Sequence, residues 1–126
     1  MQTNINMAVW FEIPASNFER AVQFYETILD VEIDAIEMAG LQQGLLPHDD
    51  LSKVCGAIVA GMGLKPSTEG STVYLNGEDD LNSVLSKVEP AGGQVLMAKT
   101  SLGDNIGHIA HFIDSEGNRV GLHSMT

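Results

Sequence analysis

The sequence is poor in the features that carry most simple functional assignments. It holds a single cysteine, Cys55, so no intrachain disulfide can form, and its four histidines, without any CxxC, make no structural zinc signature. Lysine and arginine number 6 against 17 aspartates and glutamates, and the resulting net charge of −11 repels phosphate backbones and anionic lipid surfaces. Neither nucleic acid nor a membrane is expected as a partner. Long apolar runs are missing as well: Met7 to Phe11 and Ala57 to Ala60 fall far short of the ~20 residues that cross a bilayer, and no basic, then apolar, then small-residue leader opens the chain. A cytoplasmic location is the expectation.

What remains is enough for one domain. The 126 residues are 44% hydrophobic and 18% charged, a balance that suits a globular core and lies far from the signature of disorder. With no disulfide and no structural metal in view, hydrophobic burial has to hold the fold.

Two segments are built in the same order, one from about residue 8 to 62 and one from about 71 to 124, joined by a Gly, Pro and Ser-rich linker over 63–70. Each begins with an alternating strand. In the first, Val9, Phe11 and Ile13 share one face and Ala8, Trp10 and Glu12 the other; in the second, Val73 and Leu75 alternate with Thr72, Tyr74 and Asn76. A helix follows each strand. Ser16 with Glu19 reads as a capping box, and Phe18, Ala21, Val22, Tyr25 and Ile28 or Leu29 form an apolar stripe that packs on a sheet. The second helix is capped by Asp79 or Asp80, carries Leu81, Val84, Leu85 and Val88, and stops at Pro90, Gly92 and Gly93. Three strand-like stretches follow each helix: 31–38, 41–46 and 54–60, then 94–98, 106–113 and 119–123. The order is βαβββ twice, an α+β class.

Asp114 to Asn118 is a strong turn signal that joins the last two strands as a hairpin. With Ile113 opposite Arg119, His111 faces Gly121 and Ile109 faces His123, and the side so formed is Ile109, His111, Gly121 and His123, because opposed residues of a ladder point the same way. Ala110, Phe112, Val120 and Leu122 form the apolar opposite side, under a helix. Asp114 and Glu116 brace the turn. His108 stands three residues from His111 and so faces the other way.

Three stretches, Glu19 to Leu29 (ERAVQFYETIL), Ala91 to Val95 (AGGQV) and Asp114 to Leu122 (DSEGNRVGL), resemble the vicinal oxygen chelate superfamily of glyoxalase I, bleomycin- and fosfomycin-resistance proteins and extradiol dioxygenases. The last resembles the family's D-P-x-G-N turn, with Ser115 where proline is usual. The resemblance implies paired modules forming an open, cleft-lining eight-stranded mixed sheet, a small-molecule ligand, and commonly a homodimer. Metal-dependent members place a His, Gln or Glu on the first strand of each module and a carboxylate or similar ligand on the last. Here those positions fall on Ala8 or Trp10, Thr72 or Tyr74, Gly121, and a residue within 54–60. None is a usual ligand, and Cys55 alone cannot replace a set of oxygen and nitrogen donors. No cofactor is expected, although a divalent metal on a displaced set of His111, His123 and Glu12 is a competing possibility.

The candidate site residues are Trp10, to stack or donate its indole N–H; Glu12 or His111, as general base; and Tyr74 or His123, as donor to an oxyanion. Each has a bland alternative: packing for Trp10 and Tyr74, solvation for Glu12, and hydrogen bonding to ligand or backbone for the histidines. The leading expectation is a glyoxalase- or bleomycin-resistance-like protein holding a small organic ligand in the sheet cleft, with a lyase or isomerase step beside a carbonyl. The alternatives are a non-catalytic drug or metabolite binder and a metal-dependent lyase or dioxygenase. The negative surface favours cationic ligands.

Overall fold

Alternation and helical periodicity both reappear as backbone in the computed structural model, which describes residues 2–38, 40–50 and 52–126. In chain order the elements are β1 (Trp10–Pro14), α1 (Phe18–Leu29), β2 (Asp34–Met38), β3 (Leu41–Leu45), β4 (Cys55–Ala60), β5 (Tyr74–Asn76), α2 (Asn82–Leu85), β6 (Gln94–Gly103), β7 (Gly107–Ile113) and β8 (Arg119–Ser124). The eight strands hydrogen-bond as two sheets of four, in the order β1-β4-β3-β2 and β5-β8-β7-β6. In each sheet the first strand of the module runs parallel to the last, and the other pairs are antiparallel. No helix among the described residues is long and apolar enough to cross a membrane.

The hairpin register holds residue for residue: Ile113 opposes Arg119, His111 opposes Gly121, and Ile109 opposes His123. The turn is tight because Asp114 Oδ1 accepts the backbone N–H of both Glu116 and Asn118, which leaves no slack for a slip. Ala110, Phe112, Val120 and Leu122 are buried as the alternation requires.

Several local expectations are corrected. Val9 is exposed, because β1 begins one residue later, whereas Phe11 and Ile13 do face the core. Helix α1 is capped by Asn17, whose side chain accepts the Arg20 N–H, and not by Ser16. Ser16 is otherwise engaged: its N–H and hydroxyl both donate to Glu116, 100 residues away. Phe24, absent from the expected stripe, is buried, lies edge-on to Tyr25 and reaches Phe112 in the second sheet, 6.1 Å between ring centroids. Helix α2 is one short turn, with Asp80 accepting the Asn82 N–H; Leu81 and Val88 are buried from the turns on either side of it. Strand β2 starts at Asp34 rather than at Val31, whose N–H still closes the end of α1 on the Glu26 carbonyl. Strand β6 runs on to Gly103, because bulges let it follow β7 past the point where alternation fails.

One apolar cluster spans both modules, from Ile13 and Ile58 through Phe24 to Leu81 and Phe112. A polar clasp joins the modules beside it. Glu116 Oε1 accepts the Ser16 and Asn17 N–H groups at 3.0 and 2.7 Å, and Oε2 accepts Arg20 Nε at 2.7 Å. Burial alone would raise this carboxyl, but the Arg20, Asn17, Ser115 and Ser16 hydrogen bonds favour the anion and hold it at about 2. Next to it the Tyr25 hydroxyl donates to Asp114 Oδ2 at 2.7 Å, and Asn118 Nδ2 donates to the Pro14 carbonyl at the same distance. Burial, and then the adjacent Asp114 charge, push the Tyr25 phenol well above its ordinary value.

Candidate functional site

The second sheet carries its helix-facing core on one side and a row of functional side chains on the other. Ladder pairing sets Tyr74 beside Gly121, Gly121 beside His111, and His111 beside Met97, one residue from each strand. Gly121 is the reason two of them meet. A Cβ at this position would stand 2.4 Å from the Tyr74 ring, so the ring occupies the space of the missing side chain and leans across β8. Its hydroxyl then lies 2.7 Å from His111 Nε2, with ring centroids 5.4 Å apart. Tyr74 is 44% exposed, so the pair is open to a ligand.

His111 is biased toward the neutral imidazole. Partial burial lowers its pKa first, and the positive charge of Arg119 lowers it further. A neutral imidazole at the far end of a phenol hydrogen bond can accept the tyrosine proton, so the pair can hand a proton to or from a bound oxygen.

Arg119 escaped the sequence reading although the same register places it on this face, since it shares the odd positions of β8 with Gly121 and His123. Its Nη2 donates to Thr72 Oγ1 at 2.8 Å, while its Nε is buried without a partner. The signal was available: the residue after a fixed hairpin turn has its side decided by parity.

The other expected site residues are divided. Trp10 and Glu12 share the outer face of β1, where the indole N–H approaches Glu12 Oε2 at 3.4 Å, a weak contact between exposed groups. Glu12 lines a cleft of about 200 Å³ with Arg119, whereas His123 and Tyr74 line an open depression of about 630 Å³. His123 donates its Nε2–H to the Ile106 carbonyl at 2.6 Å, since a carbonyl can only accept, and so holds the entry to β7. His111, His123 and Glu12 do not converge: no three His, Cys, Asp or Glu side chains come together among the described residues.

No family model matches the sequence. A glyoxylase-like domain-containing protein from Didymella fabae is 30% identical over 114 residues, covering 85% of this chain and 84% of the relative. The chain belongs to the vicinal oxygen chelate superfamily. Solved structures of the superfamily share its fold: glyoxalase I from Zea mays, with TM-score 0.67 and 20% identity over 92% of this chain, and a glyoxylase/bleomycin resistance protein/dioxygenase domain from Frankia sp., with TM-score 0.69 and 14% identity over 96%. A glyoxalase/bleomycin resistance protein from Albidiferax ferrireducens gives 0.64 at 15% identity, and 98% of its length is matched. This chain spans 45% of the maize enzyme's length.

Within this superfamily chain, the positions that the resemblance assigns to metal ligands do not fit an ion. Gly121 has no donor atom, and the space above it is filled by the Tyr74 ring. The phenol is turned toward His111, and Trp10 offers an indole that can only donate.

Proposed function

We propose that this vicinal oxygen chelate protein binds a small organic molecule over the exposed face of the second sheet and moves a proton beside its carbonyl without a metal at the family positions. The reading is carried by one observation, the 2.7 Å contact between the Tyr74 hydroxyl and Nε2 of His111, an imidazole whose pKa is lowered by burial and then by Arg119. In this reading Tyr74 turns its one hydroxyl proton to the substrate oxygen as negative charge develops there, while the imidazole of His111, released from the phenol, takes the proton from the adjacent carbon and returns it in the reverse step. The role of Glu12 shifts accordingly. Exposed, and in the Arg119 cleft rather than in the Tyr74 and His123 depression, it is a binding group, and His111 is the base.

The test is wash-in of deuterium. The protein is incubated in D2O with α-hydroxy ketones and 2-oxo acids, and exchange at the carbon beside the carbonyl is followed by NMR. Protein-dependent exchange that falls at least about a hundredfold in Tyr74→Phe and in His111→Gln supports the reading, general acid–base groups being worth about 10² to 10⁴. Exchange that survives both substitutions, or that never exceeds buffer, overturns it.

The homodimer belongs to the same proposal. It is supported by β6, an edge strand whose outer ladder has no partner among the described residues and whose neighbourhood exposes Leu96, Leu102 and Ile106. Light scattering on the eluting protein reads the mass directly, and a monomer at tens of micromolar would remove this part.

A further inference from the structure

The cleft between β1 and the start of β8 holds a charge that the fold leaves unanswered. Of the 6 lysines and arginines in the chain, Arg20 pairs with Glu116 and Lys99 with Asp80. Lys65 and Arg119 both line the 200 Å³ cleft, and among the described residues neither forms an ion pair. Lys65 is exposed and loses little by this. Arg119 is half-buried, and among the described residues its single side-chain hydrogen bond goes to a neutral hydroxyl and its Nε, sealed from solvent, has no acceptor. A partly desolvated guanidinium without an anion is costly in a protein with 17 carboxylates to choose from. Such a cation is retained where something else supplies the anion.

We infer that this cleft takes a small organic carboxylate, whose anionic end pairs with Arg119 and Lys65. The inference deepens the proton-transfer reading and rests on it for what happens to the bound molecule next, because Arg119 and His111 share one face of the second sheet. The cleft, at about 200 Å³, is smaller than the ~300 to 1,000 Å³ of drug-sized pockets and suits a short hydroxy, oxo or amino acid. Glu12 and Glu69 line the same cleft and can accept from a hydroxyl or ammonium on the ligand's other end. The net charge of −11, which taken alone favours cations, does not set the charge of the cleft, whose lining balances Lys65 and Arg119 against Glu12 and Glu69, and charges beyond about 8 Å are screened at physiological salt.

The experiment is an NMR titration of protein labelled with ¹⁵N-arginine and ¹⁵N-histidine, using propionate, lactate and alanine as acids, lactamide as the uncharged counterpart and propylamine as the cation. The acids are expected to move the Arg119 Nε–H resonance saturably, and lactamide and propylamine to leave it in place. Arg119→Lys, which keeps the charge but loses the planar fork, weakens lactate by about tenfold or more, and Lys65→Gln, on the exposed stretch between the sheets, weakens it about threefold. Tighter binding of lactate and alanine than of propionate supports the inference and adds a donor contact to the carboxylate end; equal binding of the three supports it with recognition at the acid end alone. Lactamide or propylamine moving the same resonance overturns it, as does unchanged lactate affinity in both variants. If neutral compounds move only the His111 ring, the carboxylate inference falls and the Tyr74–His111 reading stands; if no compound moves either residue, both fall.

Discussion

The two halves of the molecule use the same device for different ends. Each lays an aromatic ring from its first strand over a glycine of its last: Phe11 over Gly56 in the first sheet, Tyr74 over Gly121 in the second. In the first sheet the ring packs against the apolar core and is a structural filler. In the second it stands on the outer face with its hydroxyl on His111. Strand alternation makes the difference, since moving an aromatic by one position along a strand transfers it from the core to the open face. A duplicated architecture thus leaves one ring as packing in the core and the other on the open face of its sheet.

The largest effect that would break this comparison is expected at Gly56. A Cβ there would lie 2.5 Å from the Phe11 carbonyl oxygen, a backbone atom that cannot step aside, so Gly56→Ala should cost about 3 kcal/mol in urea unfolding. Gly121→Ala meets only ring atoms of an exposed tyrosine that can swing outward, so it should cost about 1 kcal/mol while abolishing the Tyr74 contact, read from the His111 ring resonances. Equal destabilisation by the two would erase the distinction between filler and site.

An intermediate effect is expected where the halves are clasped. Glu116 is held at about 2 in the folded protein against an ordinary 4.5, so its anion stabilises the fold fully above about pH 4.5, and that contribution drains away as pH falls toward 2. Glu116→Gln should cost about 2 kcal/mol at neutral pH and flatten the acid limb of the stability profile between those values. An unchanged acid limb would show that the halves are held together by the Phe24 and Phe112 packing alone. The smallest effect is electrostatic: Arg119→Gln should raise the His111 pKa toward 6.5 by removing one of the two influences that lower it, leaving burial in place. A histidine titration by NMR that shows no rise would detach Arg119 from the site.

The readable parts of this site are those governed by short sequence separation. His111, Gly121 and His123 share a face because a tight turn at Asp114–Asn118 sets the register and parity does the rest, and the same rule covered Arg119 had it been carried one residue further. No ladder ties Glu12 to Tyr74 and His111, because β1 and β5 lie in separate sheets, so strand pairing could not set that constellation. Ser16 looked like a cap for the same reason: a local pattern cannot show that a carboxylate 100 residues away claims its donors.

The amino-acid order by itself determined the doubled βαβββ plan, the core faces of β1, β5, β7 and β8, and the hairpin pairing, since these follow from periodicities of two and of about 3.6 and from turn chemistry within a few residues. Only the tertiary structure decided that a tyrosine fills the space over a glycine to reach a histidine, that Glu116 clasps the opposite module, and that Arg119 has no ion-pair partner among the described residues. Those outcomes depend on distances between groups far apart in the chain, and packing, unlike periodicity, leaves no local trace.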